Sequence, residues 1–437
     1  MTREAAPVTP PVVLSIAGSD SGGGAGIQAD TKTIEAGGAF ATTAITGVTA
    51  QNTQGVRDVT TLDPAAVSEQ IDAVVEDFDV AAVKTGMLST SAVVETVTEY
   101  AETLPGLVVD PVMVAASGDR LLDPAAEAAY EDLIAAAALV TPNADEAEVL
   151  TDVEVTDADA ARRAGEALVA MGADAALVKG GHVPSDAVVD TLVTDETVHT
   201  YRHDRIDTAA THGSGCTLSS AVATRLAHGD EMETAVGEGI ALLARAVRYN
   251  VDVGEGAGAV HHTVESRNEA ARNETVEAVE AVVAGLSDAN ATALVPHGIA
   301  NVAGATPYAE SPAEVAAVEG GIGLTRDGIR SNRGVRFGVP TPLAATILAC
   351  REHDPAVRFA LSCTATSPLV DALGTLDGET ATVENDESEA RVQAAFADCE
   401  TTPAAIVDRH GDRLVVLAPE ATQLLERVQT LVASVEA

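Results

Sequence analysis

Short apolar runs recur along the chain, each closed by a glycine, a proline or an acid and each followed by a stretch with helical spacing. Val12-Val13-Leu14-Ser15-Ile16-Ala17 predicts a buried strand, with a glycine-rich turn after it and a helix from about Ile27. Leu107-Val108-Val109-Asp110, Ala138-Leu139-Val140-Thr141 and Ala175-Ala176-Leu177-Val178-Lys179 predict further short buried strands. Helical spacing fills the segments between them, as in Pro124–Ala137 and Asp157–Met171. This β/α alternation predicts a parallel sheet covered by helices. Thr217–His228 and Glu231–Asn250 predict two more helices, before Val253-Gly254-Glu255-Gly256-Ala257-Gly258 breaks the pattern. A polar, charged stretch then predicts a linker or linker helix. A second, smaller α/β segment starts near Glu274, with a glycine-rich middle at Gly320-Gly321-Ile322-Gly323 and an acidic stretch at Glu384–Glu389. The expected division is 1–262, a linker over 263–273, and 274–437, with no internal repeat.

Composition sharpens this picture. A chain of 437 residues is too long for one ordinary core. Hydrophobic residues make up 46% but aromatics only 2%, and tryptophan is absent, so the cores must close with small aliphatic side chains. The net charge of −42 repels nucleic acid and anionic membranes and argues against either as a partner. It fits a high-salt cytoplasm, where counterions screen self-repulsion; a basic partner is the other reading. Lysine occurs only at positions 32, 84 and 179. Cys216, Cys350, Cys363 and Cys399 are scattered without a CxxC pair, against a disulfide framework or structural zinc. The N-terminus lacks a signal pattern, and no apolar run is long enough to span a bilayer, so a soluble, cytoplasmic protein is expected.

Four clusters carry candidate chemistry. In Gly22-Gly23-Gly24-Ala25-Gly26-Ile27-Gln28-Ala29-Asp30, glycines between strand and helix predict backbone amides open to a ligand. The spacing touches the dinucleotide fingerprint, but the acid expected at the next strand end is missing from Ala44–Asn52. No GK[ST] phosphate loop occurs either. Thr211-His212-Gly213-Ser214-Gly215-Cys216 leads into a helix, where free amides and the dipole form an anion hole suited to phosphoryl transfer. Cys216 is then either a thiol in a place that favours the thiolate or a small buried residue. Asn143-Ala144-Asp145-Glu146, after Thr141-Pro142, reads as acids at a strand end, fit for magnesium and phosphates, or as an ordinary acidic first turn. Asp110-Pro111 has the same ambiguity. Lys179-Gly180-Gly181-His182 offers a retained lysine as a phosphate partner. Lys84-Thr85-Gly86-Met87 is similar, or its lysine makes a surface ion pair.

Taken in order, IAGSDSGGGAGIQADTKT, TAQNTQGV, KTGML, VVDPVM, TPNADEAEVL, KGGH and THGSGCTLSSA resemble the hydroxymethylpyrimidine/phosphomethylpyrimidine kinase family of the ribokinase-like superfamily, over residues 12 to about 262. The resemblance implies a three-layer α/β/α sandwich and ATP-dependent phosphorylation of the thiamine-precursor pyrimidine and of its monophosphate. It implies that Asp30, Gln51 and Met87 contact the aminopyrimidine with Gly18 nearby. Lys179, Asn143 and Glu146 would meet ATP. Asp110 and Glu146 would hold magnesium through water. Gly213, Gly215 and the Cys216 amide would receive transition-state charge, with Cys216 where sugar-kinase relatives carry an aspartate base. A potassium ion, a homodimer and a pyridoxal side activity are further properties the resemblance raises.

Residues 274–437 resemble the archaeal thiamine-phosphate synthase domain, through Val295-Pro296 to Asn301, Ser311–Ala316, Phe337-Gly338 and Asp354–Arg358. The chain departs from that pattern where cations are expected. Thr341, Pro342 and Ala345 follow the Phe-Gly pair, Gly321 stands for an arginine, and Asp408-Arg409-His410-Gly411-Asp412 lacks the glycine-rich continuation. A synthase needs cations for pyrophosphate, so the expectation is a degraded domain that binds thiamine phosphate or thiazole phosphate, supports dimerisation or regulates the kinase. Arg330, Arg333 and Arg336 keep the alternative of a bifunctional kinase and synthase open. A small-molecule sensor, or a related kinase for sugars or nucleosides, are the rival readings.

Overall fold

The computed structural model describes residues 7–113, 126, 128–183, 187–295, 299–326, 328–384 and 388–436. The chain forms two compact units, Met1–Val264 and Glu265–Ala437.

In the first unit, strands β1 (Val12–Asp20), β2 (Phe40–Asn52), β3 (Gly55–Thr61), β4 (Val80–Thr85), β5 (Leu107–Val109), β6 (Leu139–Val140), β7 (Ala175–Val178), β8 (Ala187–Thr194) and β9 (Val198–Asp204) form one sheet in the order β3-β2-β1-β4-β5-β6-β7-β8-β9. The middle, from β2 to β7, is parallel. β3, β8 and β9 pair antiparallel, so the expected parallel sheet is present and carries antiparallel strands at both edges. The helices are α1 (Gly26–Ala36), α2 (Pro64–Val75), α3 (Ser91–Ala101), α4 (Tyr130–Ala135), α5 (Ala144–Thr151), α6 (Ala158–Ala170), α7 (Ser214–Ala227) and α8 (Met232–Arg248). The predicted helix Pro124–Ala137 survives as α4; its first residues lie outside the described set.

Alternation along the strands sets the layers. Leu14 and Ile16 of β1 face a core with Val67 and Ile71 of α2, Val93 and Val97 of α3, and Leu133 of α4. Val13 points the other way, to Ile34 of α1, Leu218 and Val222 of α7, and Val236 and Ile240 of α8. The result is a three-layer α/β/α sandwich. Its central strands are apolar on both faces because helices cover both.

The second unit contains α9 (Val264–Ala270), α10 (Arg272–Asp288), β10 (Asn301–Ala305), β11 (Val315–Val318), β12 (Ile322–Thr325), β13 (Gly328–Ser331), β14 (Val335–Phe337), α11 (Pro342–His353), β15 (Phe359–Thr364), α12 (Ser367–Ala372), β16 (Thr380–Val383), α13 (Ser388–Asp398), β17 (Ala405–Asp408), β18 (Arg413–Ala418) and α14 (Ala421–Glu436). Its main sheet runs β14-β11-β10-β15-β18-β17-β16 and is antiparallel except for β16 with β17. Val279, Leu424 and Val428 pack on one face, and Leu343, Ile347 and Val392 on the other. No helix among the described residues is long and apolar enough to cross a membrane.

Candidate active site

The parallel strands end in step, and this brings the sequence motifs together. Gly86 N–H donates to the Ile16 carbonyl (3.0 Å), Asp110 N–H to Thr85 (3.1 Å), Thr141 N–H to Val109 (2.9 Å) and Lys179 N–H to Pro142 (2.9 Å). Residues just past β4, β5, β6 and β7 therefore share one carboxyl edge beside the second half of β1, where open α/β sheets bind ligands. Asp110, 1% exposed, accepts from Lys179 Nζ at 3.2 Å, from Thr141 Oγ1 at 3.3 Å and from Ser219 Oγ of α7 at 3.4 Å. Lys179 keeps 16% side-chain exposure against 2% for Asp110, so it is the more accessible member of the pair. Burial works against that charge, but Asp110 and Glu146 outweigh it and hold the group above the usual lysine range.

Asn143 and Glu146 form a capping box on α5: the Asn143 side chain accepts from Glu146 N–H (2.9 Å) and Glu146 Oε2 from Asn143 N–H (2.8 Å). The first-turn reading of these residues is thus correct as local structure. Glu146 also faces the Asp110–Lys179 pair. Burial, and secondarily Asp110, push its carboxyl up to about 7, against the pull of Lys179. A carboxyl held this high by burial, with a second carboxylate beside it, is one that a cation would relieve. No cluster of three or more His, Cys, Asp or Glu able to cage a metal occurs among the described residues. Two carboxylates without a cage suit magnesium, which keeps waters and shares substrate phosphates.

Helix α7 meets this edge through Ser219, whose hydroxyl donates to Asp110. Its N-cap, Gly213, has φ +84°, a left-handed conformation that favours glycine, and this turn makes Ser214, Gly215 and Cys216 the first helical residues. Among the described residues the Gly215 and Cys216 amides donate to no other backbone carbonyl. A Cβ on Gly215 would lie 3.4 Å from Asp110 Oδ2 and 3.6 Å from Lys179 Nζ, so the free amides adjoin the ion pair. Of the two sequence readings of Cys216, a thiolate site or a small buried residue, its surroundings favour the protonated thiol. Burial pushes this thiol up to about 11; the Lys84 cation pulls it down, and Asp30 and Asp110 push it further up.

The glycine-rich turn behaves differently from its sequence reading. Its amides are already taken. Asp20 accepts from the Gly22 N–H at Oδ1 (2.7 Å) and from the Gly24 (2.9 Å) and Ala25 (2.8 Å) N–H groups at Oδ2, and His212 Nε2 lies 3.2 Å from that same Oδ2. Burial disfavours the Asp20 carboxylate, but the His212 contact and these amides outweigh it and hold the group below the usual range. The turn is therefore clasped to the anion-hole loop by the chain's own carboxylate.

Gly18 and Met87 meet closely: a Cβ at Gly18 would overlap the Met87 methyl, and Met87 is 7% exposed. Gln51, at the end of β2, accepts from Thr49 Oγ1 (3.0 Å) and has its Nε2 3.5 Å from His212 Nε2. Asp30 is not brought to the open side. It is fully buried, accepting from Ser15 Oγ (2.6 Å), Ser220 Oγ (2.8 Å) and Lys84 Nζ (2.9 and 3.0 Å). Lys84 is equally buried, not in a surface ion pair. Sequence reasoning missed Asp20, His212, Ser219 and the partnership of Lys84 with Asp30. Only the scarcity of lysine pointed towards the last.

Comparisons with known proteins follow the same division. The phosphomethylpyrimidine kinase family model matches residues 20–261, and the "Thiamine-phosphate synthase ThiN" model matches residues 278–430. The chain is 47% identical over 264 residues to a hydroxymethylpyrimidine/phosphomethylpyrimidine kinase of Streptomyces coelicolor, covering 60% of this chain and 98% of that one. It is 43% identical to the thiamine biosynthesis bifunctional protein ThiED of Geobacter sulfurreducens, over 57% of this chain and 52% of that protein. Among solved structures, the pyridoxal kinase from Staphylococcus aureus in complex with AMP-PCP and pyridoxal is similar at a TM-score of 0.56 and 28% identity, over 60% of this chain and 96% of that one.

Proposed function

The chain belongs to the phosphomethylpyrimidine kinase family, and on that footing we propose that its first unit phosphorylates 4-amino-5-hydroxymethyl-2-methylpyrimidine with ATP, then phosphorylates the monophosphate to the diphosphate, for thiamine diphosphate synthesis. The observation that carries this is the pair of free amides at Gly215 and Cys216 beside Asp110 and Lys179. Such an arrangement receives the charge of a phosphoryl group in flight without reorganising.

In the first transfer the hydroxymethyl oxygen attacks the γ-phosphorus, the bond to the β-bridging oxygen breaks, and ADP leaves. The hydroxyl proton goes to Cys216 Sγ when that sulfur is a thiolate. In the second, an anionic phosphate oxygen attacks and forms the anhydride, so no base is needed. Lys179 and the α7 amides meet the phosphates, while Gln51, Met87 and Gly18 bound the pyrimidine. Asp110 and Glu146 would hold magnesium, which supplies charge neutralisation on the phosphates when bound. Asp30 is assigned no ligand contact, because all its hydrogen-bonding is internal.

For the second unit we propose ligand binding without synthase chemistry. Gly321 has φ +71° and a Cβ there would overlap the Ile299 side chain, so the arginine of the family pattern would need a strained backbone and a displaced Ile299. Arg333 and Arg336 both pair with Glu319, at 3.1 and 3.4 Å. The assay is direct. Full-length protein in molar potassium chloride with ATP and magnesium should convert the pyrimidine to diphosphate with two ADP released for each one made. ATP turnover indifferent to the pyrimidine would overturn the kinase reading. Adding thiazole phosphate should give no thiamine phosphate; its formation would overturn the reading of the second unit. Pyridoxal, named for the S. aureus neighbour, belongs in the same substrate panel.

A further inference from the structure

The site stands on a charge pair that the proposed chemistry does not use. Lys84 of β4 and Asp30 of α1 are both 0% exposed and 2.9 Å apart. Four elements converge on them: Ser15 of β1 and Ser220 of α7 each donate to Asp30 (2.6 and 2.8 Å), and Lys84 donates to both Asp30 oxygens. Ser220 lies one helical turn after Cys216, so both residues face the pair from α7. Gly86 leaves the room the ammonium needs, since a Cβ there would sit 2.8 Å from Lys84 Nζ. A buried ion pair contributes little to stability compared with apolar residues of the same volume. Yet a chain with three lysines in 437 residues keeps one here.

We infer that the buried Lys84–Asp30 pair is a positioning element of the active site, its ammonium group supplying the positive charge beneath the Cys216 sulfur. The charged groups acting on that sulfur are Lys84 from β4, Asp30 from α1, Asp110 after β5 and Lys179 after β7. Lys84 is the largest cationic influence among them, and Asp30 opposes it. The inference builds on the assignment of Cys216 as the proton acceptor, but its test reads the sulfur directly.

The test is the rate of iodoacetamide alkylation of Cys216 in the full-length protein, followed on its own peptide by mass spectrometry between about pH 7 and 9.5. Cys350 and Cys363 are buried, and Cys399 serves as an internal reference. Lys84→Met should slow alkylation about tenfold or more at fixed pH, one unit of thiol titration being tenfold in thiolate. Lys84→Arg should return the rate to within about threefold of the parent, because the cation is kept. Asp30→Asn should accelerate it. General loosening of the fold would speed alkylation in every variant, so opposite signs mark the electrostatic role. Should Lys84→Met fail to fold, Asp30→Asn alone decides, and a slower or unchanged rate there overturns the inference. Unchanged rates in both variants do the same. If the rates move as expected while Cys216→Ala slows both transfers equally, the proton-acceptor assignment falls and the pairing of Lys84 with the sulfur stands.

Discussion

Removing the Cys216 sulfur while varying pH should separate the two phosphoryl transfers. Burial pushes the thiol up to about 11. At about pH 8, three units lower, roughly one molecule in a thousand carries the thiolate. If that thiolate accepts the hydroxyl proton, the first transfer should rise close to tenfold per pH unit between about pH 7 and 9. The second transfer uses a phosphate oxygen that is already anionic above about pH 6 and should stay within roughly threefold over the same range. Cys216→Ala should then lower the first transfer by about 10²–10⁴ and flatten its slope, leaving the second within a small factor. Two assays suffice: ADP release with the hydroxymethylpyrimidine, and with isolated monophosphate, each below one turnover. A first transfer that is flat with pH in the parent, or equal losses in both steps on substitution, would refute the reasoning.

Three further perturbations probe the same geometry. Gly213→Ala places a side chain at φ +84° with its Cβ overlapping the Gly24 carbonyl, so the clasp between the glycine-rich turn and α7 must open; the backbone term alone costs about 1–2 kcal/mol, and both transfers should fall together in steady-state assays. His262 is 5% exposed, lies with Nδ1 2.8 Å from Thr217 Oγ1, and is pulled from 6.5 down to about 4 by burial and by the charges of Lys32, His212 and His261. The unfolded chain therefore protonates first: this contribution is complete above about pH 6.5 and is lost as pH falls towards 4, about 3 kcal/mol in all. The stability gap between parent and His262→Gln should narrow over that window in denaturant titrations; parallel curves would contradict it. In the second unit, Arg351 is 6% exposed and donates to the carbonyls of Pro307, Ala309, Pro355 and Val357. Arg351→Met strands those acceptors and should destabilise that unit by about 2–5 kcal/mol, read as an earlier melting transition by circular dichroism.

Much of the first unit was legible because its strands are buried on both faces and read as continuous apolar runs. β1, β5, β6 and β7 appear where those runs stand. The antiparallel β9 escaped because Val198–Asp204 has no fully buried residue and carries two histidines and an arginine, so it shows no apolar run. The start of α7 lay three residues earlier than its apolar spacing indicated, since the left-handed Gly213, not a hydrophobic position, sets it. Motif order located the carboxyl edge, but not who pairs with whom across it. Asp30 turned inward to Lys84 depends on a contact 54 residues apart that no local spacing encodes, whereas Asp20 filling its own glycine nest is a contact over two to five residues that reading the turn as a ligand site passed over.

The placement of cations separates the two units more sharply than sequence similarity does. All three lysines of this acidic chain lie in the first unit: Lys84 on Asp30, Lys179 on Asp110, and Lys32 donating to the Gly23 carbonyl at 2.6 Å in the glycine-rich turn. In the second unit the well-placed arginines hold protein to protein. Arg351 gathers four carbonyls, Arg391 pairs with Asp408 at 3.0 Å, Arg358 donates to the Ala305 carbonyl at 3.2 Å, and Arg333 and Arg336 share Glu319. A pyrophosphate-handling centre needs cations whose partner is the substrate. Cations already matched to backbone and carboxylate must break those contacts to serve one. That cost is highest at the buried Arg351 and Arg391 and small at Arg333 and Arg336, whose side chains are about two-thirds exposed, so these last two are the cations a substrate phosphate would draw away most readily.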